Sequence, residues 1–270
     1  MYRLGIPSYA NTAPLFRFLA EQGELSFKFG VPSQLNRWLQ EGEVDLSLVS
    51  AAFVLEQPGS FRILPDFSVS VLGRVYSVNL FHTRPLAELR RVALTTESRT
   101  SVVLLRRLLE LRGVFPEFVT TTGGLELLEK FDALLLIGDR AIQAYAQGFS
   151  GPVPPVRNWP ERVGSIQVTD LAQLWWEQTG LPFVFAVWAT REGEPPAAEV
   201  LAALRAARQA GIASLGGVAF YEATRLGVPY PLMLHYLWNF RYHLEAPDRA
   251  GLAEFAKVLG LAGEIPYWEV

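Results

Sequence analysis

The chain has 270 residues, half of them hydrophobic, and a formal charge of −3. That length predicts about two domains of ordinary size, or one two-lobed unit, with core enough to fold without disulfides or structural metals. There is no cysteine, and three lysines (Lys28, Lys130, Lys257) stand against 21 arginines, which excludes thiol chemistry and thiolate metal sites and leaves few candidates for Schiff bases.

The opening MYRLGIPSYANTAPLF reads as strand, turn and helix and not as an export signal, so a cytoplasmic protein is expected. After the strand YRLGIPS, a helix runs through Leu15, Phe16, Leu19 and Ala20. LSFKFGVP is the second strand, and SQLNRWLQEGE is a helix with Leu35, Trp38 and Leu39 on one face behind a Ser33 cap. DLSLVSAAFV begins as a buried strand and ends at polar Ser50, so the alternation predicts a largely parallel sheet covered by helices.

The strands FRILPDFSVSVLG and RVYSVNLFHT follow, and RRVALTTES opens a second alternating unit. Its helix TSVVLLRRLLELRG stops at Gly113; PEFVTTT, the helix GLELLEKF and the strand DALLLIGDRA complete it. Residues 147–162 are rich in Gly and Pro and read as irregular. A helix through DLAQLWWEQTG precedes the strand LPFVFAVWAT, and helices dominate from Glu194 onward. The organisation predicted is two α/β lobes, residues 1–84 plus 189–270 and residues 85–188, with a ligand between them; a single doubly wound domain fits the same pattern. No run is long enough to span a membrane, and the scattered basic residues leave no nucleic-acid footprint.

His82, His235 and His243 have no metal-ligand spacing, and no phosphate-binding loop or nucleophile elbow is present. Four polar clusters remain at strand ends or helix starts. The first is Ser8, Tyr9, Asn11 and Thr12 in SYANT, where the Asn11 amide both donates and accepts, or else serves a turn or cap. Ser50 is the second, and Ser77, interrupting an apolar strand, is the third. In the fourth, TTESRTS, Ser98, Thr100 and Ser101 sit where free N–H groups of a first helical turn suit a carboxylate or simply a cap. Facing one cleft, such clusters surround a small anion with neutral donors.

SYANTAPL resembles the SYxNTxPL motif of the chorismate dehydratase family, the first enzymes of the futalosine route to menaquinone. The resemblance continues in order through DLSLVSAAF, ILPDFSVSVLGRVYSV, ALTTESRTSVVLLRRLL, DALLLIGDRA, LPFVFAVWA and NFRYHLEAPDRAGLAEFAKVL. It implies a two-lobed, periplasmic-binding-protein-like fold of type II with a central ligand cleft. It also implies loss of water from chorismate to give 3-[(1-carboxyvinyl)oxy]benzoate, without cofactor or metal. Matching positions place Asn11 at the reacting centre and Ser77, Thr100 and Ser101 on the substrate carboxylates; Ser8, Tyr9, Thr12, Ser50, Ser98, Arg99, Gly138 and Asp139 are expected to complete the substrate-binding set. Ala13 and the segment GRVYSV depart from the basic residue after NT and the GPVRSV of the family, so no basic side chain is carried over there.

The resemblance supplies no protein base. The enolpyruvyl carboxylate of the substrate is the expected proton acceptor, with Asp139 as the alternative base or a helix cap. Competing readings are a small-anion binding protein of the same fold and dihydroxynaphthoate synthase of the same pathway. The latter family carries a catalytic histidine in the second lobe, where this chain has none between His82 and His235. A transient contact with the next enzyme of the pathway is a further expectation.

Overall fold

The computed structural model describes residues 1–19, 25–149, 151–154, 156, 159–261 and 263–269. The chain opens with β1 (Tyr2–Pro7), a 3-10 turn (Ala10–Thr12), α1 (Ala13–Phe16), β2 (Leu25–Gly30), α2 (Pro32–Gln40), β3 (Leu46–Ser50), α3 (Ala51–Leu55) and β4 (Phe61–Val71). It continues through β5 (Val78–His82), β6 (Arg91–Leu94), α4 (Arg99–Glu110), β7 (Glu117–Thr120), β8 (Ala133–Ile137) and α5 (Gly138–Ala146). β9 (Arg162–Val163), β10 (Ile166–Asp170), α6 (Leu171–Thr179) and β11 (Phe183–Arg191) follow. α7 (Ala198–Ala213), α8 (Leu215–Leu226), α9 (Tyr230–Trp238), β12 (Phe240–Arg241) and α10 (Ala246–Val258) complete it.

Two six-stranded sheets result, ordered β12-β4-β11-β3-β1-β2 and β7-β6-β8-β5-β10-β9. β1 runs parallel to β2 and β3, and β6 parallel to β7 and β8, as the alternating pattern predicts. The remaining pairings are antiparallel, because the returning strand β11 enters between β3 and β4 and β5 lies against β8 and β10. The expectation of largely parallel sheets is therefore corrected to mixed ones. Both β3 and β8 are buried along their whole length, and β8 reads as a continuous apolar run for that reason.

The chain crosses between the sheets twice, between β4 and β5 and between α6 and β11. The sheets thus shift the expected boundaries at 84 and 188: β5 belongs to the second sheet and all of β11 to the first. Ser77 falls in the first crossing, just before β5, and is not an interior strand residue. Ser33 is likewise inside α2: Pro32 opens that helix and the Gln34 side chain accepts the Val31 N–H at 3.0 Å. Gly113 stands at φ +71 beyond α4, the left-handed stop its position predicts. β10 lies in a stretch that shows no strand pattern, since its residues are all half-buried. α1 is one turn long, and Ala20 of the expected first helix lies outside the described residues, as do residues 150, 155, 157 and 158 of the segment expected to be irregular. Among the described residues no helix is long and apolar enough to cross a membrane.

Candidate active site

The cleft between the sheets is where the β1, β3 and β8 ends, the first crossing and the start of α4 meet. They enclose a cavity of about 50 Å³, room for a few waters. Its walls are apolar (Pro7, Leu48, Val49, Val69, Val75, Ile137, Phe185). Among the described residues its polar lining is Tyr9, Asn11, Thr12, Ser50, Ser77, Ser98 and Ser101, with no charged side chain.

The turn after β1 is fixed before it meets the cavity. Thr12 Oγ1 donates to the carbonyls of Pro7 and Tyr9 at 3.0 and 2.8 Å, so its proton is committed to the backbone. The phenol of Tyr242 donates to the Asn11 carbonyl at 3.0 Å. With its main chain held, Asn11 lines the cavity, and its Oδ1 is buried without a hydrogen-bond partner. Ser50 ends β3 just before α3, and its side chain makes no cap bond, leaving its hydroxyl to the cavity.

Ser77 is fully buried; its carbonyl accepts the Gly138 N–H at 2.8 Å, and its Oγ has no partner. The crossing that carries it is held by Asp170, whose carboxylate accepts the N–H groups of Val75 and Tyr76 at 2.8 and 2.7 Å and of Ala172 and Gln173 at 3.0 and 3.1 Å. Burial pushes the Asp170 carboxyl up to about 6, against the pull of those four N–H donors. Tyr76 takes φ +61, a conformation costly for a bulky side chain and sustained by this grip. At the start of α4, Ser98 Oγ accepts the Ser101 N–H at 3.2 Å and donates to Ser101 Oγ at 3.1 Å. Ser98 is therefore the cap that its position also allows, and the Ser101 proton is left free for the cavity.

Other expected site residues lie elsewhere. Ser8 is exposed, with its N–H on the Gly30 carbonyl at 3.2 Å. Arg99 pairs with Glu56 at the surface. Thr100 is fully buried, but its Oγ1 accepts the Ala52 N–H at 3.0 Å and fastens α4 to α3 instead of facing the cavity. Asp139 is outside the lining as well: one oxygen takes the Ala10 N–H at 2.8 Å and the other Arg225 Nη2 at 2.7 Å. Gly138 does line the cavity, at φ +57, and a Cβ there would meet the Tyr9 ring at 2.9 Å. The Tyr9 phenol donates to Glu97 at 2.6 Å.

Sequence reasoning missed Asp170 and Arg225. Asp170 carried a signal, an Asp just before a helical apolar run. Arg225 carried none, because it reaches Asp139 from a helix 86 residues further along the chain. His82, by contrast, is a satisfied structural residue, with its ring nitrogens on the Arg84 carbonyl at 2.6 Å and Thr169 Oγ1 at 2.8 Å. Among the described residues no group of three His, Asp or Glu side chains is arranged to hold a metal ion.

Two mixed α/β lobes joined by two crossings, closing on an uncharged cavity, define a protein of the periplasmic-binding-protein-like class. Within that class the chain belongs to the menaquinone biosynthesis family, which matches residues 2–260. It is 55% identical over 260 residues to a protein of Thermus thermophilus named chorismate dehydratase, covering 96% of each chain. Among solved structures it resembles a protein of Archaeoglobus fulgidus, with a TM-score of 0.72 at 20% identity over 96% of both chains. It also resembles the alkanesulfonate-binding protein of Xanthomonas axonopodis pv. citri bound to MOPS, with a TM-score of 0.66 at 14% identity over 96% of this chain and 90% of the other. These two structures share the fold.

Proposed function

We propose that this protein dehydrates chorismate to 3-[(1-carboxyvinyl)oxy]benzoate in the cytoplasm, without a cofactor. The observation that carries the reading is the pair of buried, unpartnered oxygens, Asn11 Oδ1 and Ser77 Oγ, on one uncharged cavity between two lobes. A buried polar atom without a partner costs about 1–3 kcal/mol, so two at one cavity point to a ligand that completes them.

Chorismate suits such a site. Its two carboxylates meet the Ser77, Ser101 and Ser50 hydroxyls and the first turn of α4, whose dipole favours an anion. The Asn11 amide holds the leaving ring hydroxyl. The enolpyruvyl carboxylate takes the ring proton, the C–H electron pair becomes a ring double bond, the C–O bond breaks, and the oxygen leaves with that proton as water. Aromatisation drives the step, so the protein's tasks are to hold one conformer and exclude water. The substrate serves as its own base because Asp139 is committed to Ala10 and Arg225, and Asp170 to four backbone N–H groups. No electron is transferred, so the chemistry calls for no redox group.

The cavity of about 50 Å³ is far below the ~300 Å³ of an ordinary ligand pocket, so the lobes part to admit substrate. Incubation of the purified protein with chorismate, followed by chromatography, is the test: the aromatic product is expected, and chorismate returned unchanged identifies a mere binder. Asn11→Ala is expected to lower kcat by about a hundredfold or more; full turnover removes Asn11 from the scheme.

A further inference from the structure

The returning strand β11 is irregular where it borders the cavity. Val184 pairs with Ser70 of β4 and Ala186 with Val69, two steps along β11 against one along β4, so Phe185 is the extra residue of a β-bulge. In a regular strand, neighbouring side chains point to opposite faces. Here Phe185 and Ala186 both line the cavity, and both are half-buried on a strand that is otherwise buried from Phe183 to Thr190. A bulge beside a site re-aims a side chain, and the side chain re-aimed here is an aromatic ring.

That ring is supported from behind. It meets Phe183 edge-on at 4.7 Å between centroids, and Phe183 is wedged against Trp175 of α6 and Phe255 of α10 at 5.3 and 4.9 Å. Among the described residues the other aromatic of the lining is Tyr9, whose phenol is spent on Glu97 and whose ring lies against Gly138. The remaining apolar walls are aliphatic, so Phe185 supplies the aromatic surface left to a ligand. Dehydration changes the substrate in a way such a surface senses: the carbons bearing the hydroxyl and the ether turn from tetrahedral to trigonal, and the ring becomes flat. We infer that Phe185 is a specificity-determining residue for the dehydration, its ring covering one face of the substrate ring and packing better as that ring flattens. The inference rests on the chorismate reading and names the wall that recognises the ring. An interaction that strengthens toward the transition state raises kcat and not affinity alone.

The test compares Phe185→Leu and Phe185→Tyr with the parent, all as intact chains, by kcat and KM for chorismate and by the inhibition constant of the aromatic product. Phe185→Leu keeps an apolar side chain without a flat face. Its kcat is expected to fall about three- to tenfold and its product constant to rise by as much, the size of one aromatic pair, with KM within about twofold. Phe185→Tyr keeps the face and should stay within about twofold of the parent in all three. The product constant does not depend on how much of a sample is folded, so partial loss of structure cannot imitate the effect. A leucine variant with the parent's product constant, or with KM raised as far as that constant, overturns the inference and leaves the chorismate reading standing. So does a tyrosine variant as impaired as the leucine one. A parent protein that leaves chorismate unchanged overturns the reading and the inference with it.

Discussion

Asp139 Oδ1 accepts the backbone N–H of Ala10 at 2.8 Å, so a carboxylate of the second lobe grips the residue just before Asn11. The other Asp139 oxygen takes Arg225, again from the first lobe, and the Tyr9 phenol reaches Glu97 in the opposite direction. These bonds form only when the lobes meet, and they set the turn that carries Asn11. Closure and assembly of the reacting centre are thereby one event.

Asp139 is therefore expected to behave as a latch. Asp139→Asn keeps an oxygen for the Ala10 N–H but loses the charge that holds Arg225. We expect kcat/KM to fall about tenfold, and Arg225→Ala to match it. Replacement of a general base costs about 10²–10⁴ in rate, so steady-state kinetics on the two variants decide between the roles.

Gly138→Ala combines two penalties, a positive φ and a Cβ 2.9 Å from the Tyr9 ring. Strain of about 1–3 kcal/mol is expected, and Tyr9 must move off its bond to Glu97. The variant should melt several degrees lower and lose at least about tenfold in kcat/KM. Parent-like values on both measures would contradict this packing.

Asp170→Ala removes the acceptor for four backbone N–H groups in the crossing and at the start of α6. A loss of about 3 kcal/mol or more is expected in urea unfolding at neutral pH. Because the same grip sustains the Tyr76 backbone beside Ser77, KM for chorismate should rise too.

His235 packs edge-on to Trp159 and Tyr76, at 4.8 and 5.6 Å between ring centroids, closing the first lobe on the second. Burial lowers its pKa from the ordinary 6.5, so the packed ring is neutral. The opened form takes a proton at the ordinary value and the closed form resists it. Closure is thus fully favoured above pH 6.5 and is weakened as pH falls through the lowered value. KM should climb on acidification below 6.5, and His235→Phe should flatten that climb.

Much of the site was legible as polar residues placed where apolar runs end. Asn11, Ser50, Ser77, Ser98 and Ser101 all reach the cavity from such positions. Thr100 and Asp139 looked equivalent in the sequence and are not, since their partners Ala52 and Ala10 lie 48 and 129 residues away. β10 was missed because five half-buried residues leave neither an alternating nor a continuous apolar pattern.

The amino-acid order by itself determined most of the strands and helices and the uncharged polar clusters of the cleft, because apolar periodicity and side-chain type are local properties, and it left two lobes and one doubly wound domain both open. Which hydroxyls are spent on the protein and which are left for a ligand was decided only by the tertiary structure. A hydrogen bond depends on the atom that arrives opposite, and here that atom comes from the other lobe or from a loop more than two hundred residues further along.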